Sequence, residues 1–228
     1  MRARHGPAVE VDNRNGVVVM TFASPIITVR VLGELLSTID TLASEEAERE
    51  SLILHSTHPS VFLAGAHLGE IAALDVASSA EYARRGRRVI DSLRRFPCPT
   101  VTAINGSCSG GGFDLVLACD VIVAGPDARF DHPGIRRGLI TGWSGTTHLP
   151  GAVGRADAGA ALLETRALEA LSLEKHGAAR RVDGDPLSEA FDIALRLASL
   201  KPSRLRLWRA LRGPGFIDRF HASVVHKL

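Results

Sequence analysis

Short apolar runs and stretches of helical apolar spacing alternate along the first two thirds of the chain. The short runs are bounded by turn residues and predict buried strands at 16–22, 51–56, 100–104 and 120–125. Apolar residues recurring every three or four positions predict helices at 31–45, 78–96, 113–119, 155–168 and 187–200. This alternation favours an α/β layered fold with parallel strand pairing.

The chain shows no internal repeat and no low-complexity linker, so the sequence predicts a single domain. Residues 1–200 form its core, and residues 201–228, rich in arginine and apolar side chains, form a short helical tail. Segment 57–67 leaves the second strand through Pro59 and is predicted to be a loop with small residues at its tip.

Composition places the protein among ordinary globular proteins. Of 228 residues, 45% are hydrophobic and 23% are charged, and the net charge of +2 is too small to indicate a nucleic-acid partner. No apolar run approaches the roughly 20 residues of a membrane span. The N-terminal basic residues are not followed by the apolar region of a secretory signal, so we expect a cytoplasmic protein without a membrane partner.

The cysteines and arginines are unevenly distributed. Cys98, Cys108 and Cys119 lack the spacing of a metal site, and their odd number argues against a disulfide framework. Six arginines crowd the predicted helix 78–96. They form either a solvated face, which we favour, or a contact with an anionic ligand or a partner subunit. They are Arg84, Arg85, Arg87, Arg88, Arg94 and Arg95.

The stretch NGSCSGGGFDLVLACD, residues 105–120, has two interpretations. Residues 106–110 fit a nucleophile elbow with Cys108 at its tip, which needs a strand, a sharp turn and then a helix. An acid and a histidine downstream would complete such a hydrolase. The candidates are Asp183 or Asp185 with His221 or His226. Two further glycines follow Gly110, however, and a glycine run is poor helix interior.

The second interpretation makes the glycines the active part. A glycine-rich turn that opens a helix presents bare backbone N–H groups, which can bind a phosphate or a developing oxyanion. The dinucleotide fingerprint and the P-loop lysine are both missing from this stretch, which leaves an oxyanion hole. Its second N–H could come from the small residues at 64–66.

At this point the residues resemble the crotonase, or enoyl-CoA hydratase/isomerase, superfamily. Segment PSVFLAGAHLGEI (59–71) is similar to its first oxyanion segment, and PTVTAINGSCSGGGFDLVLACDVIVAGPDARFDHPGIRRGL (99–139) to its second. Segments 142–163 and 168–182 are similar to the regions that follow. The resemblance implies a crotonase-like ββα superhelix with a helical C-terminal section. It also implies a homotrimer or homohexamer.

The resemblance implies roles for particular residues. The backbone N–H groups of Ala66 and Gly111 would hold the thioester carbonyl of an acyl-CoA and stabilise its enolate, with Cys108 only packing the turn. Asp114 falls where family hydratases carry their first catalytic glutamate, and its carboxylate is one methylene shorter. Gly134 falls at the second glutamate and has no side chain to act. Some superfamily members with glycine there borrow a bound anion such as bicarbonate.

Neighbouring positions complete the expected site. His67, Leu68, Gly69 and Trp143 should line the substrate pocket beside Ala66, Gly111 and Gly134. Of Asp131 and His132, at most one should face the pocket, because adjacent residues in an extended stretch point to opposite sides. We expect His132 to be a loop histidine bonded to the backbone. The C-terminal tail also looks shorter than in typical hydratases.

The leading hypothesis is therefore an acyl-CoA-processing enzyme that uses an oxyanion hole, with Asp114 as base or proton shuttle. A single carboxylate suits isomerisation or another enolate reaction better than two-glutamate hydration. No metal or redox cofactor is implied, because coenzyme A is part of the substrate. The alternatives are a catalytically degenerate acyl-CoA-binding or partner subunit and, less favoured, the Cys108 hydrolase.

Overall fold

The structure, a computed structural model, describes residues 7–44, 49–199 and 202–211. Twelve strands occur in these residues. They are β1 Val9–Arg14, β2 Val17–Phe22, β3 Ile26–Ile27, β4 Ser51–Ser56, β5 Val61–Leu63, β6 Gly65–Ala66, β7 Thr100–Ile104, β8 Ser107–Ser109, β9 Val121–Ala124, β10 Arg129–Asp131, β11 Leu168–Glu169 and β12 Arg180–Arg181.

Eight α-helices occur in the same ranges. They are α1 Val29–Ser44, α2 Leu68–Ala72, α3 Val76–Arg94, α4 Gly111–Ala118, α5 Gly145–Leu163, α6 Ala170–Lys175, α7 Pro186–Ala198 and α8 Pro202–Leu211. A 3-10 turn, Pro133–Arg137, precedes α5. No helix within the described ranges is long and apolar enough to span a bilayer.

The architecture is a spiral of ββα units. The larger sheet has the order β1-β2-β4-β7-β9-β12, and every pair in it is parallel except β1 with β2. A smaller sheet has the order β11-β10-β8-β5. Successive units place β4, β7 and β9 in the larger sheet and β5, β8 and β10 in the smaller one, each followed by helix. The predicted crotonase-like superhelix is confirmed.

All four predicted strands are present, and the helices differ from prediction mainly at their ends. Helix α4 begins at Gly111, not at Phe113, since two glycines are tolerated in its first turn. Helix α5 begins ten residues before the predicted position 155 and bends at Gly154, whose backbone is not helical. The predicted loop 57–67 contains the short strands β5 and β6.

Strand β1 was missed by the sequence reasoning, although a two-residue Asn15-Gly16 turn joins it to β2. Both turn residues have positive φ angles, 55° and 87°, as the tight hairpin turns that suit twisted strands require. The signal was present in the sequence, but the strand itself is polar because five of its six residues are exposed.

The larger sheet is buried on both faces, which explains its nearly continuous apolar strands. Side chains such as Met20 and Leu54 face the main core together with α1 and α3. Alternate residues such as Val19 and Val101 face a second core that α7 covers. This two-sided burial fixes the carboxyl ends of β4, β7 and β9, from which the residues of the site extend.

Helix α8 is held against the body of the protein by a buried ion pair. The Arg209 guanidinium donates to both carboxylate oxygens of Asp120 at 2.9 and 2.7 Å, and also to the carbonyls of Phe96 and Cys98. The Asp120 side chain is only 2% exposed. The rest of the predicted tail, 212–228, lies outside the described residues.

Candidate active site

A cavity of about 580 Å³ opens beside the first turn of α4. Its walls come from β6 with α2, from the start of α4, from α3 and from the segment 132–143. All seven positions predicted to contact substrate line it. They are Ala66, His67, Leu68, Gly69, Gly111, Gly134 and Trp143.

The two predicted oxyanion segments meet at the cavity wall. A side-chain carbon added at Gly65 would lie 2.8 Å from the carbonyl oxygen of Ser109 and 3.2 Å from the nitrogen of Gly111. Gly65 also has φ of 87°, so only glycine allows this approach without strain. Ala66, which follows Gly65, and Gly111 both line the cavity. The geometry thus brings two backbone segments to one place.

The glycine run 110–112 has a steric explanation at each position. Gly110 precedes α4 with φ of 54° and donates its N–H to the Asp131 carbonyl at 2.9 Å. A side chain at Gly111 would come within 2.5 Å of the Trp143 ring, and one at Gly112 within 2.5 Å of the Leu63 Cβ. Gly111 is the first residue of α4, and N–H groups in a first helical turn have no acceptor within the helix.

Asp114 lies in the first turn of α4 but does not line the cavity. Asp114 is 1% exposed, and its Oδ2 accepts a hydrogen bond from the Thr141 hydroxyl. Its Oδ1 packs over Gly145, where an added side-chain carbon would lie only 2.1 Å away. Burial raises the pKa of Asp114 to about 7, although the Thr141 hydrogen bond acts in the opposite direction.

His132 lies between Asp114 and the cavity. Its ring lines the wall, stacks on Phe113 at 5.3 Å between centroids, and places Nε2 3.4 Å from the Asp114 Oδ1. Burial lowers the pKa of His132 to about 4. The expectation of a loop histidine bonded to the backbone was wrong. The ring is 5% exposed, and its Nε2 has no hydrogen-bond partner among the described residues.

Asp131 points away from His132 and supports the glycine turn. Its carboxylate accepts from the Ser109 hydroxyl, and its carbonyl accepts from the Gly110 N–H. One residue of the pair Asp131 and His132 lines the cavity, as the alternation of an extended segment requires.

The remaining predicted positions differ in what surrounds them. Gly134 lines the cavity without a side chain, and an added carbon there would lie 3.0 Å from the Leu139 carbonyl oxygen. His67 caps α2, because its Nδ1 accepts from the Glu70 N–H at 3.2 Å. Leu68 is 50% exposed at the cavity mouth. Trp143 is buried, and its ring lies 5.5 Å from the Tyr82 ring.

The Cys108 interpretation is contradicted by the structure. Cys108 lies inside strand β8 rather than on a turn, is fully buried, and is absent from the cavity wall. Burial raises the pKa of its thiol well above the usual range, which disfavours the thiolate. Of its supposed partners, Asp185 caps α7 and Asp183 pairs with Arg181. His221 and His226 lie outside the described residues.

The arginines of α3 mostly form surface ion pairs. Arg84 and Arg85 both pair with Glu81, and Arg88 lies 3.7 Å from Asp40. Arg87 differs, because it donates to the Gly142 carbonyl at 3.0 Å and so supports the cavity wall. Across the described ranges, no group of three acidic, histidine or cysteine side chains is placed to hold a metal ion.

The sequence reasoning missed several wall residues. Thr141, Tyr82 and Arg137 line the cavity. Tyr82 could have been found from its position on the apolar face of the predicted helix 78–96. It lies four residues before Gly86 and seven before Val89, so the three share one face of the helix. Nothing in the sequence around Thr141 indicates its bond to Asp114, since that contact spans 27 residues.

Comparisons with known proteins agree with this geometry. The sequence model of the enoyl-CoA hydratase/isomerase family matches residues 12–208. The mitochondrial methylglutaconyl-CoA hydratase of Rattus norvegicus is 31% identical over 217 residues, covering 91% of this chain and 67% of the rat protein. The human counterpart is 30% identical, and this chain spans 62% of it.

A solved structure gives the same result for the fold. The Pseudomonas aeruginosa protein DspI superposes with a TM-score of 0.83 at 27% identity, over 92% of this chain and 83% of that one. These comparisons identify a family and a fold.

Proposed function

The chain belongs to the enoyl-CoA hydratase/isomerase family, and from that premise we propose that it is an enzyme that forms and stabilises the enolate of an acyl-CoA thioester. The observation that carries the proposal is the approach of β6 to the start of α4 at the cavity wall. Removing the α-proton of a thioester puts negative charge on its carbonyl oxygen. Two backbone N–H groups, of Ala66 and Gly111, would receive that charge.

The wall supports enolate chemistry with one acid–base system rather than hydration by two glutamates. Gly134 stands where the family resemblance puts the second acid, and it offers no side chain. Asp114 supplies the carboxylate of this acid–base system, and because it lies behind the cavity wall it acts on the substrate through a neighbouring side chain. Isomerisation of a 3-enoyl thioester to its 2-enoyl isomer needs one group that removes a proton and returns it to a different carbon.

The proposal includes the surroundings of the enzyme. The substrate carries coenzyme A, and no separate metal or redox cofactor takes part. We further propose a cytoplasmic homotrimer or homohexamer. Sedimentation of the full chain at several concentrations checks the oligomer, and a stable monomer throughout would contradict that part.

A direct test compares two substrates. The protein is incubated with a 3-enoyl-CoA and, separately, with crotonyl-CoA, while the absorbance of the conjugated enoyl thioester is followed. We expect the band to appear with the 3-enoyl-CoA and to persist with crotonyl-CoA, and we expect Asp114→Ala to abolish the change. Loss of the band from crotonyl-CoA would show hydration instead.

One observation favours a second function, an acyl-CoA-binding or partner subunit without turnover. The Asp114 carboxylate does not line the cavity, so it cannot touch a bound thioester in this arrangement. Such a protein would bind acyl-CoA but would exchange no α-hydrogen of a saturated acyl-CoA in D₂O. Measured exchange above the uncatalysed rate would exclude it.

A further inference from the structure

The carboxylate of the site and the cavity are separated by one side chain. Asp114 is 1% exposed and is absent from the wall, whereas His132 forms part of the wall directly in front of it. Of the two Asp114 oxygens, Oδ2 is taken by the Thr141 hydroxyl. Oδ1 faces His132 and lies against Gly145, where an added side-chain carbon would be 2.1 Å from it. A proton that leaves a ligand for Asp114 therefore meets His132 first.

The two facing atoms are a donor and an acceptor without other partners. Neither the His132 Nε2 nor the Asp114 Oδ1 has a hydrogen-bond partner among the described residues, and they lie 3.4 Å apart. Leaving two buried polar atoms unpaired costs on the order of 1–3 kcal/mol each, so a small shift that closes the gap is favoured. Hydrogen bonds of catalytic pairs are often long before the substrate binds.

This arrangement selects one form of the imidazole. A neutral ring that carries its proton on Nε2 can donate to Oδ1, which leaves the lone pair of Nδ1 as the basic site. Stacking on Phe113, at an interplanar angle of 28°, holds the ring plane. Within the described residues Nδ1 makes no hydrogen bond, so nothing in the protein competes for it.

We propose that His132 is the catalytic residue that carries the proton in the cavity, and that Asp114 is a positioning residue that acts through it. This inference rests on the proposed enolate function. His132 Nδ1 takes the α-proton, and the electron pair of the C–H bond moves to the carbonyl oxygen, held by the Ala66 and Gly111 N–H groups. The imidazolium is stabilised by the Asp114 carboxylate and then returns the proton to the γ-carbon of the extended enolate.

Other titratable groups at the cavity are placed differently. They are His67 at the mouth, which caps α2, Tyr82, whose hydroxyl has its pKa raised by burial, and Arg137 at the rim. Behind the wall, Asp131 is bonded to Ser109 and Gly110. Asp114 is thus the carboxylate that lies within 4 Å of the His132 ring nitrogens.

The test compares His132→Gln and Asp114→Asn with the wild type, using 3-enoyl-CoA isomerisation and affinity for a saturated acyl-CoA. His176→Gln is the matched control, because that histidine is exposed and lies outside this cavity wall. We expect His132→Gln to lower kcat by about 10²–10⁴-fold, the usual range for a general acid–base group, with little change in affinity. His132→Ala should recover part of its activity when imidazole is added.

Asp114→Asn separates positioning from mere packing. In the wild type the rate should rise as Asp114 ionises near pH 7, because the ionised carboxylate stabilises the His132 imidazolium. Asparagine cannot ionise, so in Asp114→Asn this rising limb should disappear while the maximum rate falls. A purely structural role would lower the rate without removing the limb.

The outcomes are distinct. An active wild type with His132→Gln within about threefold of it would overturn this inference and leave the enolate function standing. A wild type that binds acyl-CoA but neither isomerises a 3-enoyl-CoA nor exchanges α-hydrogens would overturn the proposed function, and this inference with it. If His132→Gln does not fold, loss and imidazole rescue are measured on His132→Asn.

Discussion

Replacing Asp114 by asparagine should make the protein more stable at neutral and alkaline pH. The structure raises the pKa of this carboxyl from 3.8 to about 7, chiefly by burial. Each tenfold change in an acid constant corresponds to about 1.4 kcal/mol, so the buried carboxylate costs about 4 kcal/mol of folding free energy once it is ionised. Asparagine keeps the shape of the side chain and cannot ionise.

The sign of the pH dependence follows from the direction of the shift. Because the folded pKa is above the unfolded one, the Asp114 contribution is fully favourable below about pH 4. It is lost progressively as the pH rises to about 7. The stability of Asp114→Asn relative to wild type should therefore rise by about 4 kcal/mol between pH 4 and pH 8. Because the difference is taken between two proteins that share all other titratable groups, the contributions of those groups to stability cancel.

Urea unfolding at a series of pH values and one fixed protein concentration measures this difference. A stability difference that stays constant with pH would show that the Asp114 pKa is not raised by folding. A difference that falls as the pH rises would show the opposite shift, with the carboxylate held ionised by a protonated His132.

Further variants probe other contacts. Arg209→Met should lower the stability by about 3 kcal/mol in urea unfolding, because it removes the arginine from the buried Asp120 carboxylate. The exposed Arg206→Met should change the stability by less than about 0.5 kcal/mol. Gly145→Ala should lower isomerase activity, because the added carbon would lie 2.1 Å from the buried Asp114 Oδ1 and would displace that carboxylate. Gly151→Ala in the same helix, with no atom within 4 Å, should keep full activity. Cys108→Ala should retain the isomerase activity per folded molecule, because Cys108 is buried away from the cavity. Loss of that activity would support the hydrolase interpretation.

The sequence predicted the fold well because its strands are buried on both faces. Runs such as 51–56 and 100–104 are buried along nearly their whole length, and their ends in the structure coincide with the predicted ones. Strand β1 was missed because its residues, unlike those of the buried strands, are mostly exposed and polar. Helix α4 was predicted two residues short because glycine has a poor helix propensity, and here close packing against Leu63 and Trp143 outweighs that propensity.

The wall of the site was predictable in part. The resemblance placed Ala66 and Gly111 in one pocket, and the structure brings both to the cavity. The depth of Asp114 could not be predicted, because it depends on Thr141 and Gly145, which are distant in sequence. The orientation of His132 was predicted wrongly for the same reason. The Asp114 carboxylate that its ring faces belongs to α4, and the local sequence carries no sign of that approach.

One pair of variants isolates the backbone N–H at the start of α4 that would stabilise the enolate. Gly111→Ala and Gly111→Pro both add a carbon facing the Trp143 ring, but only proline removes the N–H, and proline is well tolerated at the first position of a helix. The alanine variant is therefore the matched control for the proline variant.

The measurement is the rate at which each variant exchanges the α-hydrogens of a saturated acyl-CoA for deuterium, followed by mass spectrometry at saturating ligand. We expect Gly111→Pro to exchange more slowly than Gly111→Ala by about 10²–10³-fold, the usual cost of one lost oxyanion donor. Equal exchange rates in the two variants would contradict this expectation.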